Sequence, residues 1–139
     1  MNYLVDANVL SEATKPEPAP AVVDWLRHND RRLLVNPIIL GELEYGILLL
    51  PAGRRRTRLH KWFAAGVKRL RVLDLDVEAA KVWAGLLAKL KRNGRAMPIK
   101  DSLIAATARQ YRLTVATRNV HDYRHAGVGL VNPFLGIRD

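Results

Sequence analysis

The chain has 139 residues and carries 23 Lys and Arg against 13 Asp and Glu, a formal charge of +10, which makes it one basic domain with a core of its own. No Cys is present, which excludes disulfide frameworks, thiolate zinc sites, iron–sulfur clusters and cysteine nucleophiles. An apolar content of 49% excludes disorder, no apolar run approaches the ~18 residues of a membrane span, and the first residues lack a signal-peptide pattern, so a soluble cytoplasmic protein is expected.

Tyr3-Leu4-Val5 reads as a first strand that ends in a turn at Asp6-Ala7-Asn8. Ala21, Val22, Trp25 and Leu26 recur at helical spacing behind Pro20 and predict a helix over residues 20–30. A second strand is expected over Arg32 to Val35, then a helix from Pro37 to about Leu50 with Asn36 as its cap. Pro51-Ala52-Gly53 interrupts the chain before a basic helix over Arg54 to Lys68 and a third strand over Arg71 to Leu75. Asp76 caps a helix over Val77 to Arg92, with Ala80, Trp83, Leu87 and Leu90 as its apolar stripe and Asn93-Gly94 as its end. Pro98 precedes a helix over Ile99 to Tyr111, followed by a strand over Leu113 to Thr117, a loop over Asn119 to Gly127 and an apolar piece, Gly129 to Val131. This alternation predicts a single α/β domain over residues 1–139, a mainly parallel twisted sheet with helices on both faces. In such sheets ligands bind at the carboxyl ends of the strands.

Between Glu44 and Asp74 stand Arg54, Arg55, Arg56, Arg58, Lys61, Lys68, Arg69 and Arg71, and no acid. A phosphate backbone is the natural counterpart of such a patch, and a solvated helix face is the plainer explanation. From Ala79 onward the acids are Asp101, Asp122 and Asp139. Asp6 closes the first strand, where a turn or a helix cap also suits it. Glu42 lies in a helix that is apolar nearly all round and is therefore expected to be buried, where a carboxylate needs an ion pair or a metal. Glu44, about 200° away around that helix, is expected to meet solvent or an Arg. Asp101 opens a helix, as the helix dipole favours, and the small residues Ala105 and Ala108 on its face let that helix lie close to the sheet. Asn119 or Asp122 adds a fourth polar group beyond the strand that ends at Thr117. Asp6, Glu42 and Asp101 come from three separated segments, and gathered at one end of a sheet without a metal they would repel one another. Mg²⁺ or Mn²⁺ resolves that with carboxylate oxygen alone. Carboxylates in a basic surround point to metal-dependent cleavage of a phosphodiester.

Four segments carry a resemblance that covers essentially the whole chain. They are Tyr3-Leu4-Val5-Asp6-Ala7-Asn8-Val9-Leu10-Ser11-Glu12, Gly41-Glu42-Leu43-Glu44-Tyr45-Gly46, Asp101-Ser102-Leu103-Ile104-Ala105-Ala106-Thr107-Ala108 and Thr114-Val115-Ala116-Thr117-Arg118-Asn119. In that order and spacing the sequence resembles the PIN-domain ribonucleases, specifically the VapC-type toxins of toxin–antitoxin pairs. The resemblance implies a three-layer PIN-like fold, with Asp6, Glu42 and Asp101 as catalytic acids and metal ligands and Asn8 and Thr117 as supporting polar residues. Some relatives place a fourth acid where this chain has Asn119; others keep Asn there and place it three residues later, at Asp122. The resemblance further implies Mg²⁺, with Mn²⁺ as a substitute, and attack of an activated water on RNA, such as tRNA or rRNA. The products would carry 5′-phosphate and 3′-hydroxyl ends. Arg54, Arg55, Arg56, Arg58 and Lys61 would hold the RNA backbone. Toxins of this type are homodimers inhibited by a VapB-type antitoxin, and only through that antitoxin does the complex bind promoter DNA.

Two other readings compete. A haloacid-dehalogenase-like phosphatase also uses an Asp after its first strand, but its second Asp, two residues on, is Asn8 here. The other is a non-catalytic RNA-binding or scaffold domain of the same fold whose acids are structural. Retention of three acids argues against it, as does an aromatic content of 6% with Trp25, Trp62 and Trp83 all at core spacing. His121 and His125 stand at i and i+4, but in a segment that reads as a solvated loop.

Overall fold

The computed structural model describes residues 1–136. Five strands, β1 (Tyr3–Val5), β2 (Leu33–Val35), β3 (Arg71–Val72), β4 (Thr114–Ala116) and β5 (Gly129–Val131), form one parallel sheet in the order β3-β2-β1-β4-β5. The connecting helices are α1 (Ala7–Glu12), α2 (Pro20–His28), α3 (Pro37–Leu48), α4 (Arg54–Val67), α5 (Val77–Arg92), α6 (Ile99–Tyr111) and α7 (Val120–Tyr123). The chain winds outward from β1 through β2 to β3, then crosses to β4 on the other side of β1. Right-handed crossovers in opposite directions put helices on both faces, and the strand order reverses between β1 and β4. The residues that follow those two strands are Asp6 and Thr117.

A sheet covered on both faces needs strands apolar on both sides. Leu4, Val5, Val35 and Val115 are accordingly fully buried or nearly so. On α6, Ile104, Ala105, Ala106 and Ala108 are buried, and their small size lets α5 pack along this helix and its first turn approach the strand ends. Two side-chain links hold the site-bearing helices. Asn36, fully buried at the end of β2, caps α3 by accepting from the Ile39 amide (2.9 Å) and donates to Thr107 Oγ1 on α6 (3.0 Å). Trp83 Nε1 donates to Ser102 Oγ (2.9 Å), fastening the first turn of α6 to α5.

The structure corrects several expectations. Of the turn and the helix cap that suit Asp6, the structure shows the cap: α1 follows directly, and Asp6 Oδ1 accepts from the Ala7 amide (2.8 Å). The Asn119–Gly127 segment contains α7, a helix of 4 residues, too short for periodicity to announce. Strand β3 stops at Val72, and the last ladder bond on that side is Leu73 N to Val35 O (2.8 Å). Helix α3 is not buried all round: Ile39, Leu43 and Ile47 face the core, while Tyr45 and Leu48 are 64% and 47% exposed, as is Leu49 just past its end (66%). On α5 the deeply buried positions are Ala79, Leu86 and Leu90, with Ala80 exposed, a stripe one residue earlier over most of its length. Trp62 is exposed rather than in the core, because α4 sends only Leu59 fully inward. Asp139 lies outside the described residues. No helix among the described residues is long and apolar enough to cross a membrane.

Candidate active site

Asp6 is where the two halves of the sheet meet. Its amide donates to Ala116 O (2.9 Å), which extends the β1–β4 ladder by one residue, and its side chain is 3% exposed. While Oδ1 caps α1, Oδ2 accepts from Thr117 Oγ1 (2.8 Å), from the Tyr123 hydroxyl (3.3 Å) and from Asn8 Nδ2 (3.4 Å). Thr117 Oγ1 in turn accepts from Asn8 Nδ2 (3.2 Å) and the Asn119 amide (3.0 Å), and Asn8 Oδ1 accepts from the Arg118 amide (3.0 Å). These bonds stitch the loop after β1 to the loop after β4. From α6, Asp101 arrives at the same point: its Oδ1 lies 3.3 Å from the fully buried Tyr123 hydroxyl, which therefore bridges two aspartates.

Burial, and next the charge of Asp6, push the Asp101 carboxyl from the usual 3.8 up to about 6. Glu42 is likewise raised, by burial above all, against the opposing bond to Lys100. Lys100 Nζ lies 2.8 Å from Glu42 Oε2, and Glu42 Oε1 is buried without a hydrogen-bond partner. The Tyr123 hydroxyl is held far above its ordinary value by burial and by both aspartates, so it keeps its proton and acts as a donor. Asp122 contributes its charge to raising Asp101 and makes no side-chain bond of its own among those described. A cavity of about 420 Å³ has Asn8, Glu42, Arg55, Trp62, Lys100 and Asn119 in its wall, while the buried Asp6 and Asp101 lie outside that wall, next in sequence to Ala7 and Lys100, which line it. A larger one of about 560 Å³, around Tyr3, Trp25 and Arg32, has no acid in its wall and lies away from this chemistry.

A sheet of order 3-2-1-4-5 with buried acids at its reversal point agrees with the comparisons. The sequence model of the PIN domain matches residues 3–128. The chain belongs to the PIN-domain family. It is 35% identical to VapC ribonuclease Y4jK of Sinorhizobium fredii, with 94% of this chain and 96% of the relative covered. It is also 35% identical to Toxin FitB of Neisseria gonorrhoeae, with 94% and 97% covered. The solved structure of FitAB bound to an IR36 DNA fragment superposes with a TM-score of 0.89 at 31% identity, covering 99% of this chain and 98% of that one.

Within this PIN domain, Asp6, Asp101, Asn8 and Thr117 are brought together as expected, with Asp122 near enough for its charge to act on Asp101. Glu42 faces the same region and Glu44 is exposed, as their helical spacing predicts. Asn119 lines the cavity. The basic residues divide. Arg55 lines the cavity with Leu59 and Trp62, whereas Arg54, Arg58 and Lys61 sit on a face turned roughly 90° around α4, and Arg56 borders a separate hollow that it shares with His60 and Lys61. His121 and His125 are both exposed, and Arg124 Nε donates to His125 Nε2 (3.1 Å). Among the described residues no three acids or histidines converge into a ready-made metal cage. Sequence reasoning missed Lys100, Tyr123 and the Trp83–Ser102 link. Lys100 stood in view as a cation directly before a candidate acid, but nothing in the sequence tells that it reaches Glu42.

Proposed function

We propose that this PIN domain is a divalent-metal-dependent endoribonuclease and the toxin of a toxin–antitoxin pair. The observation that carries this reading is the pair Asp6 and Asp101, buried at the reversal point of the sheet, joined by one tyrosine hydroxyl, with Asp101 raised to about 6 in a chain of net charge +10. Two buried carboxylates brought together in this way fit a hard cation. The donors there, two buried carboxylates that meet at one hydroxyl, are all oxygen, as such a cation prefers. Asp6 and Asp101 would hold Mg²⁺ or Mn²⁺, with Glu42 and Asp122 beside them. The chemistry such an ion supplies when bound is activation of a water and neutralisation of charge on the phosphate.

The chain's own residues do the rest. Thr117 and Tyr123 orient Asp6 Oδ2 by donating to it, and Asn8 holds the two loops that bear them. Arg55 at the cavity wall would take the RNA backbone, with Arg54, Arg56, Arg58 and Lys61 extending the positive field around α4. A structured cellular RNA, tRNA or rRNA, is the substrate, which makes the cytoplasm the place of action. The exposed Tyr45, Leu48 and Leu49 of α3 support a homodimer, since soluble monomers seldom leave such a face open. A VapB-type antitoxin is the inhibitor and the route to promoter DNA, a reading supported by the likeness to a toxin, FitB, and to FitAB bound to DNA.

Mapping product ends tests the chemistry. Attack by water leaves 5′-phosphate and 3′-hydroxyl termini, whereas 2′,3′-cyclic phosphates would mean attack by the RNA's own 2′-hydroxyl and would overturn the scheme. Tight binding of RNA with no cleavage in Mg²⁺ or Mn²⁺ would favour the non-catalytic alternative.

A further inference from the structure

Lys100 is a cation already seated among the acids. It immediately precedes Asp101 on the first turn of α6, and its ammonium reaches across to α3, 2.8 Å from Glu42 Oε2. Asp6 and Asp101 meet instead through Tyr123. The acids thus divide into a dicarboxylate pair on a tyrosine and a glutamate neutralised by a lysine. That division accounts for the lack of any three converging acids among the described residues. A divalent ion at Glu42 would stand against the ammonium with like charge, and only one of the two Glu42 oxygens is free of the ion pair.

We propose that Lys100 is the second cation of this site. One divalent ion binds at Asp6 and Asp101, and the Lys100 ammonium, held by Glu42, supplies the other positive charge toward the phosphate of the substrate. This rests on the metal-dependent reading above. Lys100 lines the cavity with Asn8, Arg55 and Asn119, and its side chain is 54% exposed, so the residue is open to the space a phosphate would enter. An ammonium has three donors, and with one on Glu42 two remain for phosphate oxygens. Charge counting agrees. Asp6, Glu42, Asp101 and Asp122 bring four negative charges; Lys100 and one divalent ion leave a single negative charge, whereas a second divalent ion would turn the cluster positive. Glu42 is then a positioning residue that acts through Lys100.

Titration calorimetry with Mn²⁺ on the intact chain, beside Lys100→Met and Glu42→Gln, tests this, with thermal unfolding as the check on folding. The expected result is one ion per chain for the unaltered protein and for Glu42→Gln. Lys100→Met, with Glu42 released, should gain a second ion while its RNA cleavage falls on the order of a hundredfold. Two ions on the unaltered chain and one on Glu42→Gln would overturn the inference and leave metal-dependent catalysis standing. No Mn²⁺ bound to the unaltered protein would overturn both. Should Lys100→Met fail to fold, Lys100→Gln takes its place, and a single ion with unchanged cleavage in whichever variant folds would overturn the inference.

Discussion

Replacing Asp101 by Asn should make the metal-free protein more stable at neutral pH, although it removes an acid on which the proposed activity depends. Asp101 is 5% exposed and faces Asp6 across the Tyr123 hydroxyl, and its carboxyl is raised from 3.8 to about 6. Between pH 4 and pH 6 the folded chain therefore keeps a proton that the unfolded chain releases. Stability falls as pH rises through that window and stays level above it. A gap of about two pH units corresponds to about 3 kcal/mol lost by pH 7. Asn carries no charge and still accepts from Tyr123, so Asp101→Asn should recover most of that energy at pH 7 and little of it at pH 4. In a domain of this length 3 kcal/mol is roughly 10 °C in Tm. Thermal unfolding followed by circular dichroism from pH 4 to pH 8 in EDTA reads the difference directly. Equal or lower stability of the variant at pH 7, or an offset that does not change with pH, would refute the reasoning. Mg²⁺ should then narrow the gap, because it stabilises the unaltered protein by binding the native state and has a weaker site in the variant.

Further outcomes follow from single contacts. Asn36→Ala removes the cap of α3 and the bond to Thr107, and should cost about 2 kcal/mol of stability, read as a lower urea midpoint with the slope unchanged. Thr117→Val keeps the shape but leaves Asp6 Oδ2, Asn8 Nδ2 and the Asn119 amide each one partner short; a loss of about 1–3 kcal/mol is expected in the same assay. Arg55→Ala should weaken RNA binding and flatten its dependence on salt by about 0.7 in the logarithmic slope, read by fluorescence anisotropy at several salt concentrations. An unchanged slope would place the RNA off the Arg55 face.

The sheet was legible because its strands are short apolar runs between helices with evident caps: Asn36 before α3 and Asp76 before α5 both accept from helix amides as expected. Helix burial was less legible. The apolar surround of Glu42 did not reveal that Tyr45, Leu48 and Leu49 face outward, because hydrophobicity alone does not separate a core face from an exposed apolar one. The α5 stripe slipped because Ala79 and Ala80 are equally apolar and only packing against α6 selects between them. At the site, the scarcity of acids in a basic chain singled out Asp6, Glu42 and Asp101, which the fold gathers near the ends of β1 and β4. What connects them was not legible. Tyr123 looked like a residue of a solvated loop, yet it is fully buried with its hydroxyl between two carboxylates that lie 117 and 22 positions away in sequence.

The most direct test of the account is cleavage itself. Partner-free protein incubated with a pool of tRNA and rRNA should yield discrete fragments in Mg²⁺, none in EDTA, and none with a folded Asp101→Asn variant in either. Fragments that persist in EDTA or with the variant would contradict a metal-dependent site centred on Asp6 and Asp101.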